Sequence, residues 1–532
     1  MYVAEIPNRT SPPAVLLRES FREDGKVKNR TIANLTSWPR LRIEALRRLL
    51  RGELDAVALP AVPTSGPVFG LLHALKQVAD DIGLSAALGK SELGKFALFL
   101  VLARIGHQGS RLSAVRWARD HAVAEVLGLG EFDEQDLYNA LDDLCARQEK
   151  IEKSLFRQYL HRNGAPPSLV LYDVTSSYLE GEHNALGEFG YNRDGKKGKL
   201  QIVIGLLADP SGEPLAVRVF SGNTGDPSTV AEQIDALTKQ FAIQEVIFVG
   251  DRGMVKKAGK QALGEAGFRY ISALTDPQIR NRLANGTLQL DLFAEQVCEV
   301  EGDGVRYVLL NNPDETRRIE HRLEDKLAKL RAKVAKRNEC VKNSSRCKPE
   351  AGLAMLKRWM SQHKLANIVE LNLQKRQIAE SINEEAKHKS LELAGCYVLV
   401  SDVGKDKFST EQIHDSYMAL QKVERDFRTM KTGLLEIRPV FVRKESRTRG
   451  HVFCSMLALK LQREVERRLA AVFGTTDADR YAVTVPDALA ALGRLTLLHY
   501  KVDDKISVTK LPLPDQQQRR ILDALKVSLP SK

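Results

Sequence analysis

The sequence contains few cysteines, few aromatic residues and no long hydrophobic run. Six of its 532 residues are cysteine and 6% are aromatic. The cysteines lack the spacing of a zinc site or a disulfide framework, so all six, Cys340 and Cys347 included, are expected to be reduced thiols of a cytosolic protein. The longest apolar run, between Lys95 and Arg104, is far too short for a bilayer, which needs about 20 residues. These absences predict a soluble protein without a disulfide scaffold.

The sequence also lacks a glycine-rich phosphate loop and a motif for a serine or cysteine nucleophile. It is rich in charge of both signs, with 80 basic residues against 68 acidic ones and a net charge of +12. A basic surplus favours a polyanionic partner, although charge alone also fits a membrane surface. Further evidence for the partner must therefore come from motifs.

The length predicts two to four structural units, because domains typically hold about 100 to 150 residues. An Asp-Gly turn at Asp24 closes a predicted hairpin over Val15–Leu35, and Leu59–Gly66 has the composition of a linker. The changing periodicity of apolar residues predicts an α/β core that is interrupted by a charged insertion. The predicted regions are a hairpin region with its linker (1–64), a helical domain for DNA binding or dimerisation (65–165), the first part of the core (166–275), the insertion (276–394), the second part of the core (395–475) and a C-terminal region (476–532).

An acidic residue follows a strand that should be buried. The run Leu169–Tyr172 is apolar or aromatic, which is typical of a central strand, and Asp173 comes directly after it. A carboxylate is costly to bury unless it is paired or binds a cation, so Asp173 is a candidate metal ligand at the end of the strand. For an isolated aspartate, capping of the next turn would be the commoner role.

Two more acids occupy matching places. The apolar strand Glu245–Val249 stops at Gly250 and Asp251, where the glycine allows a close approach of backbone or substrate. Further on, Glu424 lies on a helix predicted over Thr410–Lys431. Three carboxylates, two at strand ends and one on a helix, suit a two-metal phosphoryl-transfer site, because Mg²⁺ prefers oxygen ligands and two ions can stabilise the attacking and leaving oxygens.

These motifs together resemble the DDE transposases of bacterial insertion sequences, and more narrowly the insertion-sequence-four superfamily. The superfamily's helix signature is Y-x2-R-x3-E-x6-K, which Tyr417, Glu424 and Lys431 match, while Leu420 stands at the arginine position. The resemblance covers most of the chain. Its other motifs are Tyr172-Asp173-Val-Thr175, Gly222-Asn-Thr224 with Asp226, Gly250-Asp251-Arg-Gly-Met254, Ile437-Arg-Pro-Val-Phe441 with Arg449-Gly-His451, and the N-terminal SFREDGKVKNRTIANL.

The resemblance implies an α/β fold with an RNase H-like catalytic core, an insertion before the glutamate helix, and an N-terminal hairpin plus helical domain. It implies that Asp173, Asp251 and Glu424 hold two Mg²⁺ ions, with Mn²⁺ as a substitute. The residues implied to contact DNA at the transposon end are Tyr417 and Lys431, with Arg425 or Arg428 in place of the missing arginine.

The implied function is a transposase that binds the terminal inverted repeats of its element, cleaves the DNA and transfers the strand to target DNA. Its partners would be double-stranded DNA and a second copy of the chain in a synaptic complex, in the bacterial nucleoid and not on a membrane. Two alternatives remain open, a catalytically inactive DNA-binding regulator and a nuclease without strand transfer. The other acids near the site are expected to be surface charges, and His451 and Trp359 to be structural; those acids are Glu180, Glu182 and Asp426.

Overall fold

The chain divides into two compact units that alternate along the sequence. Unit 1 consists of Met1–Asp81, Gly109–Glu134 and Glu464–Lys532, and unit 2 of Ile82–Gln108 and Gln135–Arg463. This division differs from the predicted regions, because the segment predicted as one helical domain contributes to both units. The computed structural model describes residues 1–8, 12–53, 62–252, 254–289, 297–344, 346–431, 435, 437, 440–475, 482–502 and 505–530.

The described residues form sixteen strands and nineteen α-helices. The strands are β1 (Tyr2–Ile6), β2 (Ala14–Glu23), β3 (Lys26–Asn34), β4 (Val62–Val68), β5 (Leu169–Tyr178), β6 (Gln201–Ala208), β7 (Pro214–Ser221), β8 (Ile247–Gly250), β9 (Arg269–Ala273), β10 (Val297–Gly302), β11 (Val305–Asn311), β12 (Val369–Gln374), β13 (Gln377–Ile382), β14 (Cys396–Ser401), β15 (Thr496–Val502) and β16 (Lys505–Lys510). The helices are α1 (Arg40–Leu50), α2 (Gly70–Asp81), α3 (Leu84–Leu88), α4 (Glu92–Gly106), α5 (Arg111–Arg119), α6 (Val123–Leu127), α7 (Glu134–Ala146), α8 (Gln148–Asn163), α9 (Val230–Asp235), α10 (Lys257–Glu265), α11 (Asp276–Ala284), α12 (Pro313–Asn343), α13 (Pro349–Gln362), α14 (Glu384–Leu391), α15 (Thr410–Met418), α16 (Leu420–Lys431), α17 (Glu445–Phe473), α18 (Val485–Leu492) and α19 (Gln516–Leu525).

Unit 1 contains two small antiparallel sheets. In the first, β2 and β3 form the predicted hairpin, and Asp24 and Gly25 make its turn with φ angles of 49° and 75°. Helix α1 covers one face of this sheet by burying Ile43 against Val15 and Leu35. In the second sheet, β15 lies between β4 and β16. Part of the predicted linker, residues 62–66, therefore forms a strand, while residues 59–61 lie outside the described residues.

Unit 2 is built on an eight-stranded mixed sheet with the order β10-β11-β14-β9-β8-β5-β6-β7. Strand β5 runs parallel to β8, which runs parallel to β9, and the other pairs are antiparallel. Residues Leu169–Tyr172 are buried, as their apolar pattern predicts. A core that includes Tyr172 and Phe248 packs around the sheet. Strand β5 lies between β8 and β6, third from one edge, which puts its acidic residue in the interior of this unit's sheet.

The predicted insertion differs from the structure at its start. Strands β10 and β11 lie in the region predicted as insertion, yet they extend the large sheet through pairing of β11 with β14. The part outside the sheet includes α12, α13, β12 and β13, which share a separate hydrophobic cluster. Asn311 pairs directly with Cys396 across β11 and β14, so the chain leaves and re-enters the sheet at one place.

Two further expectations are corrected by the structure. Cys340 near the end of α12 and Cys347 just before α13 form a disulfide, so these two residues are not reduced thiols here. The turn between the two helices brings them together, which their spacing in sequence did not indicate. The helix predicted over Thr410–Lys431 is two helices, α15 and α16, separated at Ala419. Across the described ranges, no helix combines the length and apolar character that crossing a bilayer requires.

Candidate active site

Asp173 lies on β5, an interior strand of the large sheet. The sequence predicts Asp173 at the end of its strand. Strand β5 instead continues to Tyr178, so Asp173 lies within the strand. However, the parallel pairing with β8 stops at Tyr172 and Gly250, one residue before Asp173. The Asp173 carboxylate is partly buried, and its Oδ1 accepts a hydrogen bond from the Val174 N–H at 2.7 Å.

The pKa of Asp173 is raised to about 7. Burial is the largest cause, since it disfavours the charged carboxylate. The nearby negative charges of Asp251 and Glu424 raise the pKa further, whereas the Val174 N–H and the Arg193 guanidinium lower it. These effects mean that the three predicted acids interact electrostatically in the folded chain, and that Asp173 lacks a full neutralising partner.

Asp251 directly follows β8 and is exposed. Its Oδ1 accepts a hydrogen bond from the Tyr417 hydroxyl at 3.1 Å. Burial of the Tyr417 side chain and the negative charge of Asp251 raise the pKa of Tyr417, so this phenol stays protonated and remains a donor. The backbone carbonyl of Asp251 accepts a further bond from Ser272 Oγ at 3.1 Å. The predicted motif residue Gly253 lies outside the described residues.

Glu424 projects from α16, a helix with one buried face. Val423 and Phe427 are among the residues buried on that face, and α16 packs against β5, while Glu424 is exposed. Asp426 is fully buried, contrary to the expectation of a surface charge, and its Oδ1 accepts from Arg463 Nε at 2.7 Å. The Asp426–Arg463 pair therefore helps to fix the helix that carries Glu424.

The three acids line one cleft of about 280 Å³. They reach it from an interior strand, from the end of the neighbouring strand and from a helix far along the chain. Arg193 and Asp226 also line the cleft and are joined by hydrogen bonds of 2.6 and 2.7 Å between Arg193 Nη2 and the two carboxylate oxygens. The lining residues are Asp173, Val174, Thr175, Arg193, Asp226, Asp251, Glu424, Phe427, Arg428 and Lys431.

The donor chemistry of the cleft fits hard divalent cations. Carboxylate oxygens are the ligands that Mg²⁺ and Mn²⁺ prefer, and a cation would relieve the repulsion that raises the pKa of Asp173. In the part of the chain that the structure describes, no three acidic, histidine or cysteine side chains converge tightly enough to form a ready metal cage. The three carboxylates thus line the same cleft without meeting at a point.

The four residues predicted to contact DNA have different surroundings. Arg428 lines the cleft, and Arg425 is exposed on the same helix. Tyr417 contacts Asp251, so it touches a predicted metal ligand. Lys431 lines the cleft too, but its side chain is only 11% exposed and its Nζ donates to Asp194 at 2.9 Å.

Four further residues that the sequence analysis considered do not line the cleft. Glu180 pairs with Lys199 at 2.6 Å and does not line the cleft; Glu182 is exposed and is also absent from its lining. His451 is buried and bonds the Ile437 carbonyl, and Trp359 stacks on His363, which agrees with structural roles. Of the motif that begins at Ile437, Arg438 and Pro439 lie outside the described residues.

Sequence reasoning missed Arg193 and Asp194. Both belong to the loop between β5 and β6, where the sequence has no helical or strand period. Asp194 accepts from the Tyr178 N–H at 3.1 Å as well as from Lys431. The available signal was the composition of Phe189–Lys197, which mixes aromatic and basic residues in the manner of a nucleic-acid contact.

The family is shown by comparison with known proteins. Residues 164–461, more than half of the chain and including all three acids, match the model described as "Transposase DDE domain". The chain therefore belongs to the DDE transposases, and it is an enzyme of the DNA-transposing class. Residues 4–58 match the model described as "IS1634 family transposase, N-terminal domain", which agrees with a transposase of an insertion sequence.

Two solved transposase structures resemble the chain weakly. The first, "Cryo-EM structure of piggyBac transposase synaptic complex with hairpin DNA", is 10% identical, with a TM-score of 0.37 over 80% of this chain and 76% of that chain. The second, "Mos1 transposase paired-end complex with left transposon end", is 12% identical, with a TM-score of 0.15 over 44% of this chain and 68% of that chain. No curated protein matches the chain. Similarity at this level does not transfer residue roles.

Proposed function

We propose that this transposase binds the terminal inverted repeats of its own element, cleaves them with divalent metal ions and joins the freed 3′ end to target DNA. The observation that carries the proposal is the single cleft lined by Asp173, Asp251 and Glu424, which are far apart in sequence. The strand order β7-β6-β5-β8-β9, with Asp173 on the middle strand, supports an RNase H-like core. The basic surplus of the chain supports a DNA partner, in a bacterial nucleoid.

The three carboxylates would hold two Mg²⁺ ions, or Mn²⁺ in their place. Bound ions of this kind activate the attacking water or hydroxyl and stabilise the leaving oxygen. The chain's own residues prepare the ligands: the Tyr417 hydroxyl orients the Asp251 carboxylate through Oδ1, and the packing of α16 on β5 presents Glu424 to the cleft. The Arg193 guanidinium, fixed by Asp226, offsets part of the negative charge beside Asp173.

Arg425, Arg428 and Lys431 remain the proposed contacts to the DNA backbone, and Tyr417 remains one only if its hydroxyl exchanges Asp251 for a phosphate. Arg428 is the best placed of them, since it lines the cleft on the same helix as Glu424. A phosphate contact from Lys431 requires that the lysine exchange its bond to Asp194 for one to DNA. We also propose a homodimer as the active form, because two element ends must be cut and the described part of each chain has one such three-acid cleft.

The test is an incubation of purified protein with Mg²⁺ and DNA that carries the ends of its element. We expect cleavage at the ends followed by joined products, and loss of both with Asp173→Asn, Asp251→Asn or Glu424→Gln. Specific end binding without cleavage at permissive salt would overturn the proposal in favour of a DNA-binding regulator. Cleavage without joined products would identify a nuclease.

A further inference from the structure

One loop beside the cleft has features that the proposed chemistry does not use. It spans Glu188–Lys197, here called the Tyr191 loop, and lies between β5 and β6. Phe189 and Tyr191 in this loop are 66% and 81% exposed. Large aromatic side chains this exposed on a well-held backbone are typical of a surface that stacks against a ligand.

The base of the loop is held in place by backbone contacts. The backbone amide and carbonyl of Glu188 and Gln201 exchange two hydrogen bonds of 3.0 and 3.1 Å. The buried Gln201 side chain donates to the Tyr191 carbonyl at 3.2 Å and to the Gly222 carbonyl at 2.8 Å. A Cβ at Gly190 would overlap the Gly222 carbonyl oxygen, and a Cβ at Gly222 would overlap the carbonyl oxygens of Gln201 and Glu188. The backbone at the base of the loop is therefore held in place, while the rings of Phe189 and Tyr191 are exposed to solvent.

Arg193, in the second half of the loop, connects Tyr191 to the cleft. The Arg193 N–H donates to Ser176 Oγ at 2.9 Å, and the Arg193 guanidinium lines the cleft, where Asp226 holds it. The same guanidinium lies over the Tyr191 ring, 5.5 Å from its centre. A cation held on one side of an aromatic ring orients that ring. The Arg193 side chain therefore links the Tyr191 ring to the candidate active site.

The charges of the loop divide into paired and outward-facing groups. Arg193 is paired with Asp226, and Asp194 with Lys431. Lys196 and Lys197 are exposed, and the Lys196 ammonium lies 5.8 Å from the centre of the Tyr178 ring. Although Glu188 at its start is exposed, the outward face of the Tyr191 loop from Phe189 to Lys197 is consequently aromatic and positive, which complements a nucleic-acid strand with its bases and phosphates.

We propose that the Tyr191 loop binds the DNA strand that enters the cleft, with Tyr191 stacked on a base next to the scissile phosphate and Lys196 and Lys197 on neighbouring phosphates. The proposal rests on the proposed function, because it assumes that DNA is the substrate of the cleft. It adds a strand-positioning site that does not include the three acids. Phe189, two residues before Tyr191, supplies a second aromatic surface for the adjacent base.

The stacking is tested with end DNA that carries the fluorescent base 2-aminopurine at each position next to the cleavage site. Binding is measured without divalent metal, so that the result does not depend on cleavage. We expect a fluorescence change at one position with the wild type and with Tyr191→Phe, which keeps the ring, and no change with Tyr191→Ala. Since one stacked base is worth roughly 1–3 kcal/mol, Tyr191→Ala should weaken end binding by about 5- to 150-fold.

The phosphate contacts are tested through salt dependence. Each phosphate contact contributes roughly 0.9 to the slope of the logarithm of the DNA-binding constant against the logarithm of the salt concentration. The double change Lys196→Gln with Lys197→Gln should therefore reduce the size of this slope by about 1 to 2. The matched control is Lys375→Gln with Arg376→Gln, which removes the same charge from the exposed turn between β12 and β13. An equal loss of slope in the control would mean that net charge alone is responsible, and would overturn the assignment to the loop.

The two proposals fail in different ways. If the wild type cleaves DNA while Tyr191→Ala binds, fluoresces and cleaves as the wild type does, the Tyr191 loop assignment is wrong and the proposed function stands. If the wild type does not cleave, the metal-free fluorescence still decides whether the loop takes a base. A change in the oligomeric state of Tyr191→Ala without DNA would show instead that the loop contacts protein, which also overturns the proposal.

Discussion

Lys431 donates a hydrogen bond to Asp194 at 2.9 Å, and their side chains are only 11% and 2% exposed. Lys431 is the last residue of α16, the helix that carries Glu424, and Asp194 lies in the Tyr191 loop. This buried ion pair therefore fastens the glutamate helix to the loop beside the cleft. The resemblance to DDE transposases predicts that Lys431 contacts a DNA phosphate, so its two roles need to be separated by experiment.

Replacing Lys431 by alanine is expected to destabilise unit 2. Removal of one partner of a buried ion pair typically costs about 3–5 kcal/mol, because the other charge stays buried without its partner. The measurement is the shift of the urea midpoint of Lys431→Ala, with exposed Arg425→Ala on the same helix as the control. Unchanged stability with a salt slope of end binding lower by about one would make Lys431 a phosphate contact, as the sequence predicted.

Glu424→Gln is expected to abolish cleavage while end binding without metal stays within about twofold. The amide removes a negative metal ligand but no phosphate contact, so the loss should appear in the cleavage rate. Glu265→Gln, at an exposed position on α10 outside the cleft, is the matched control and should cleave normally. Cleavage by Glu424→Gln at the wild-type rate would remove Glu424 from the ligand set.

The stability of the metal-free protein should fall as the pH rises from about 4 to 7 through Asp173. Its pKa is about 7 in the folded chain against an ordinary value of 3.8, so the folded state holds an extra proton in this window. Above pH 7 the buried carboxylate is charged and its unfavourable contribution is complete. Urea unfolding at pH 5 and pH 8 should show a smaller decrease for Asp173→Asn, and an equal decrease would contradict the assignment.

The same pKa predicts that metal binding releases protons. A cation requires the ionised carboxylate, so Mn²⁺ affinity should rise with pH up to about 7 and then level off. Calorimetric titration at pH 6 in two buffers of different ionisation enthalpy measures the protons released. Asp173→Asn should lower both the affinity and the proton release, whereas proton release that is unchanged in this variant would place the titrating group elsewhere.

Tyr417→Phe separates a role in ligand orientation from a role in DNA binding. Loss of the hydrogen bond to Asp251 should weaken Mn²⁺ binding by about 10- to 100-fold, the usual effect of removing an outer-shell partner. End binding without metal should remain unchanged, because the structure shows the hydroxyl on Asp251. Weaker metal-free end binding at unchanged Mn²⁺ affinity would instead support the backbone contact that the sequence predicted.

Each of the three acids could be identified as a candidate from its local sequence pattern, whereas their convergence was implied by the resemblance to DDE transposases. An apolar strand run precedes Asp173 and Asp251, and Glu424 lies on an amphipathic helix whose buried positions recur at helical spacing. The position of Asp173 within its strand could not be predicted from such a local pattern. Its strand continues past it with buried residues, and only the end of the pairing with β8 marks the position as special. That the acids bind metal stays a prediction.

The features that the sequence did not reveal depend on long-range pairing. Asp194 and Lys431 are 237 residues apart, and Arg193 and Asp226 are 33 apart, so no local pattern links them. Strands β10 and β11 look like any half-buried strands in sequence, and only their pairing with β14 makes them part of the large sheet. Side-chain type identified the candidates, whereas the partner of each was set by the fold.

Because Asn311 pairs with Cys396, the segment between them is a module that begins and ends at adjacent positions of the large sheet. The Asn312 N–H donates to the Gly395 carbonyl at 2.9 Å, so the two chain ends of the module meet where a short hairpin turn would otherwise lie. A change of length or content within residues 313–394 need not alter the register of the large sheet. A shortened or lengthened module should therefore leave Asp173, Asp251 and Glu424 in their shared cleft.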